Sequence, residues 1–102
     1  MKHSLDELDR MILEAVSNDY EQFDSIAEQL SNWMAVEREK IETKDLELSL
    51  FRALDADYVG AYMLHPADPH AVRVETSFDT LHQYWFYITP KGKEHLGRLE
   101  SK

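Results

Sequence analysis

With 102 residues, 43% hydrophobic and 11% aromatic, the chain is sized for one domain over residues 1–102 with a single core; three glycines and three prolines are too few for a disordered or fibrous protein. Having no cysteine excludes disulfides and thiolate metal sites, no apolar run reaches the roughly 20 residues that span a bilayer, and an N-terminus that turns acidic is unlike a secretory leader, so a cytoplasmic protein is expected. The 11 basic and 20 acidic residues leave a net charge of −9, which excludes a histone-like packaging role.

Ser4 and Glu7 fit a capping box, and Leu5, Leu8, Met11, Ile12, Ala15 and Val16 recur at helical spacing, predicting a first helix over about 5–17. Asp19 with Gln22 offers the next cap, followed by Tyr20, Phe23, Ile26, Ala27, Leu30, Trp33 and Met34 on one face of a helix over about 20–36. The mixed-charge segment Glu37–Lys40 reads as a solvated turn of helix or a connector. Thr43 then caps a third helix over about 44–56, with Leu46, Leu50, Ala53 and Leu54 facing inward. Asp57 occupies the place of a helix-ending glycine, which Asp tolerates better than most residues.

Residues 58–64 read as a strand, 65–70 as a proline-punctuated turn, and the alternation over 71–76 as a short strand. Residues 84–88 form an aromatic strand expected to pair antiparallel with 58–64, with Tyr84, Phe86 and Ile88 on one face and Trp85 and Tyr87 on the other. Thr89 is a ready N-cap and Pro90 suits the first helical position, so a last helix runs to about Glu100.

The run Tyr84-Trp85-Phe86-Tyr87-Ile88-Thr89-Pro90-Lys91-Gly92-Lys93, together with a helix running into a strand over Leu50–Leu64, resembles the winged-helix superfamily. The resemblance covers nearly the whole chain. It implies an α+β fold of three helices, a small antiparallel wing sheet and a C-terminal helix, and it implies DNA binding as the ordinary use, with the recognition helix over 44–56. Such a fold carries many roles.

The residues themselves weigh against that use. If Leu46, Leu50, Ala53 and Leu54 face the core, Asp45, Leu48, Arg52 and Asp55 face outward, with one cation among them. A DNA-reading face calls for Arg, Lys, Asn or Gln. The wing segment 65–83 contains Arg73 as its single Lys or Arg. The expected role is therefore a regulatory or protein-interaction module, a homodimer or bound to another protein, with Leu48, Phe51, Trp85 and Tyr87 as the contact surface. The alternative is a DNA-binding transcriptional regulator in which Arg52, Arg73, Lys91 and Lys93 touch DNA. No catalytic residue, cofactor or metal is expected: His65, Asp68 and His70 share a loop but match no ligand spacing, and Gly60, Gly92 and Gly97 are too isolated for a phosphate loop.

Overall fold

The computed structural model describes residues 5–35, 42–65 and 68–100. The cap Ser4, the charged segment Glu37–Lys40 and the basic Lys102 lie outside the described residues. The elements run α1 (Leu5–Ala15), β1 (Glu21–Gln22), α2 (Phe23–Ala35), α3 (Thr43–Asp55), β2 (Val59–His65), β3 (Asp68–Val74), a 3₁₀ helix (Phe78–Gln83), β4 (Trp85–Ile88) and α4 (Pro90–Glu100).

The apolar stripes of the three N-terminal helices meet over one face of the sheet. Ile12 and Leu13 of α1, Val16 just after it, Ile26 and Leu30 of α2 and Leu50 of α3 are essentially inaccessible, as are Val59 and Phe86 from the strands. Each such side chain contributes roughly 1.5–3 kcal/mol of burial, so this contiguous cluster dominates the stability. β4 carries the alternation of a half-covered strand, with Phe86 and Ile88 buried and Trp85 and Tyr87 half-exposed.

The sheet has the order β1-β4-β2-β3 with antiparallel neighbours throughout. Pairing of β2 with β4 aligns Val59 with Ile88 and Tyr62 with Trp85. On its other side β2 pairs with β3, Ala61 facing Val74 and Met63 facing Val72. β3 and β4 thus flank β2 in the same direction. The chain between them crosses the helical face through the 3₁₀ helix, whose Leu81 is fully buried. Phe78 of this crossover meets Phe51 edge-on at 5.9 Å between ring centroids. Its His82 packs on Phe23 at 4.1 Å, places Nε2 2.9 Å from Glu47 Oε2 and lies 4.0 Å from Asp24.

Several boundaries differ from those the periodicity suggests, for local physical reasons. The helix expected from residue 20 starts at Phe23, because Glu21 and Gln22 pair with Phe86 and Trp85 as a short strand. Asp19 accepts the Tyr20 amide (2.8 Å) instead of capping that helix. Glu42, not Thr43, precedes the first turn of α3, and it makes no side-chain cap. The turn expected over 65–70 is shorter, since His65 ends β2 and Asp68 already begins β3. The crossover helix leaves no signal in the sequence, because its few apolar residues fit no long period.

α3 ends in a Schellman motif. The Asp57 amide donates to the Leu54 carbonyl (3.1 Å) and the Tyr58 amide to the Ala53 carbonyl (2.9 Å), with Asp57 left-handed at φ 63°. This junction meets the Thr-Pro-Lys-Gly turn. The Thr89 amide donates to the Tyr58 carbonyl (3.0 Å), its hydroxyl donates to the Asp57 carbonyl (2.5 Å), and the same oxygen accepts the Gly92 amide (2.9 Å). At the far end of α4, Glu14 of α1 is held above the ordinary carboxylate pKa, first by burial and then by the Glu100 carboxyl, with Arg10 opposing.

Candidate nucleic-acid interface

Helix α3 presents Lys44, Leu48, Arg52 and Asp55 on its exposed side, while Asp45 turns half inward. This corrects the expected stripe at one position: lysine replaces aspartate, giving two cations, one leucine and one carboxylate. The reason is rotational, since Leu46 and Leu50 are buried together with Ser49, which rotates the exposed stripe toward Lys44. Leu48, at the centre, is 45% exposed.

Arg52 does not project freely. Its guanidinium donates to Asp9 of α1 at 2.9 Å, and the fully buried Ser49 hydroxyl donates to the same Asp9 oxygen at 2.5 Å. The cluster ties α1 to the middle of α3. Neither Asp9 nor Ser49 is singled out by the sequence, because a carboxylate 40 residues from its hydroxyl partner leaves no local pattern.

The remaining arginines follow the same rule among the described residues. Arg73 on the wing pairs with Asp57 at 2.5 Å, Arg10 with Glu14 at 3.1 Å and Arg98 with Glu94 at 2.5 Å. Lys91 lies 5.6 Å from the centroid of the Tyr58 ring, which stacks on His95 at 4.2 Å and 7°. Lys44 and Lys93 are exposed and have no ion-pair partner among the described residues.

The candidate protein-contact residues separate into two places. Leu48 is exposed on α3, and Phe51 is half-buried against Phe78. Trp85 and Tyr87 lie on the outer face of the sheet, where Tyr20 packs on both Tyr62 (5.2 Å, edge-on) and Tyr87 (5.0 Å). The segment entering β1 therefore covers part of that face. The side chains of His65, Asp68 and His70 lie outside the described residues. Among the described residues no group of His, Asp or Glu is arranged to hold a metal, and no helix is long and apolar enough to cross a membrane.

No protein-family model matches the sequence, and no curated protein matches it. Solved structures do match the fold. The chain is similar to smu.1704 from Streptococcus mutans UA159, with a TM-score of 0.68 at 18% identity over 99% of this chain and 81% of that one. It is also similar to a PadR-like transcription factor from Bacteroides fragilis, with a TM-score of 0.65 at 17% identity over 95% of this chain and 80% of that one. The fold is winged-helix, α+β with a four-stranded antiparallel sheet, as the Tyr84–Lys93 motif implies.

Proposed function

We propose that the chain is a DNA-binding transcriptional regulator of the cytoplasm, one winged-helix domain over residues 1–102 that presents α3 to the duplex. The observation that carries this is the exposed stripe of α3, where Lys44 takes the place expected for Asp45, so that Lys44 and Arg52 flank Leu48 and Asp55 is the one carboxylate left in the stripe. Similarity in fold to a PadR-like transcription factor supports the same reading.

The charge balance that weighs against DNA in the sequence is smaller at this surface. Arg52 and Arg73 are paired, but both pairs are exposed, and exposed pairs are worth about 0–1 kcal/mol. Exchanging Asp9 or Asp57 for a phosphate is therefore a small cost. The net charge of −9 still slows encounter and limits the number of phosphate contacts. Contacts by Lys44, Arg52, Arg73 and Lys93 give a salt slope of about −2 to −4 in log Kobs against log salt.

Fluorescence anisotropy with a random duplex from about 20 to 200 mM salt tests this, alongside Lys44→Glu. Binding with that slope, weakened by Lys44→Glu, is the expected result. No binding at the lowest salt excludes the proposal. Leu48 favours a second reading, in which the same helix face binds protein, with Phe51, Trp85 and Tyr87 as the further contact candidates. A homodimer in light scattering that Leu48→Gln dissolves, with DNA binding unaffected, would favour it.

A further inference from the structure

The helices cover β2 and β4 but leave β3 open, and a groove of about 550 Å³ lies between the second half of α3 and the β2–β3 hairpin. Buried Ala61 forms part of its floor, half-buried Phe51, Leu54 and Val74 line it, and exposed Asp55 and Glu75 stand at its rim. Its volume is in the range of small-molecule sites, and its lining joins an apolar patch to a larger share of polar surface.

We infer that this groove binds a small apolar cation: a ring system seated against Phe51, Leu54 and Val74, with its positive charge between Asp55 and Glu75. The charge of the rim decides the class. Arg73 also lines the groove, and the charge of its neighbour Asp57 balances it, so Asp55 and Glu75 leave this end of the molecule net negative. A cleft with one sign of charge concentrates the opposite ion, and the acidic chain reinforces this. A cation over the half-buried Phe51 ring also gains from the ring face. An anionic ligand of the same size meets the same apolar patch and two repelling carboxylates. The groove shares Arg73 and the second half of α3 with the DNA reading, but its ligand is measured on the protein alone, so failure of one leaves the other standing.

The experiment titrates the protein with rhodamine 6G, an apolar cation, and with 8-anilinonaphthalene-1-sulfonate, an apolar anion, reading anisotropy and amide shifts. Expected are saturable binding of the cation, shifts centred on the Val74 and Thr76 amides, and weaker or absent binding of the anion. Asp55→Asn with Glu75→Gln should weaken the cation about fivefold or more and leave the unfolding midpoint close to wild type. Val74→Phe should block both probes; if that variant does not fold, the location of the wild-type shifts carries the same test. Non-saturable cation binding, equal binding of the anion, indifference to the double substitution or shifts centred elsewhere would each overturn the assignment.

Discussion

Gly92 lies against the carbonyl of Tyr58 so closely that a Cβ built at position 92 would stand 2.0 Å from that oxygen. Glycine is required here by the approach of one backbone to another, since its φ is not positive. Gly92→Ala should therefore shift α4 away from the β2 junction and cost about 1–3 kcal/mol, the usual range for overpacking. Urea unfolding measures it, and Gly97→Ala, where a Cβ meets nothing within 4 Å, should be neutral or slightly stabilising.

Thr89 acts in two directions at this junction, accepting from the Gly92 amide and donating to the Asp57 carbonyl. Thr89→Val keeps the shape and removes both bonds, and should cost about 1–2 kcal/mol. Thr89→Ser should restore most of that in the same unfolding experiment.

The Asp9–Ser49–Arg52 cluster predicts non-additive losses. Ser49→Ala removes a charge-assisted hydrogen bond within the α1–α3 contact and should cost about 1–2 kcal/mol. Arg52→Gln should cost less than about 1 kcal/mol, because that pair is exposed. Together they should differ from the sum, a coupling that a double-mutant cycle reads directly.

The raised pKa of Glu14 has a definite sign. The folded state binds the proton more tightly than the unfolded chain, so this contribution is fully present below the ordinary value of 4.5. It is lost as pH rises through the folded value. Glu14→Gln should therefore gain on wild type as pH climbs from below 4.5 toward neutrality, and the difference should disappear in acid. Unfolding curves at several pH values check it. A constant difference across the range would mean that the carboxyl is not perturbed.

Patterns with short sequence range made much of this fold readable. Leu46, Leu50 and Ala53 announce α3, and Thr89-Pro90 announces the start of α4, because caps and periodicity act within a few residues. The strand faces of Phe86 and Ile88 against Trp85 and Tyr87 follow from period two. What depends on distant partners was hidden. β1 exists because Glu21 and Gln22 find β4, and the crossover helix exists because Leu81 finds the core. The exposed face of α3 was legible except at its first turn, where one step of rotation exchanges Asp45 for Lys44 and changes its electrostatic character. The engagement of Arg52 by Asp9 was beyond reach for the same reason of distance.

The crossover from β3 to β4 gives the wing a mechanical character. A hairpin joined only through a surface turn could be peeled from its sheet under load one strand at a time. Here the strand at the open edge leads straight into a helix whose Phe78 bears on Phe51 and whose His82 bears on Glu47, both on α3. Tension applied at the hairpin reaches α3 through those two struts before β2 and β4 part. The β2–β3 hairpin and α3 should accordingly yield together in a pulling experiment, as one stiff lever and not as two hinged parts.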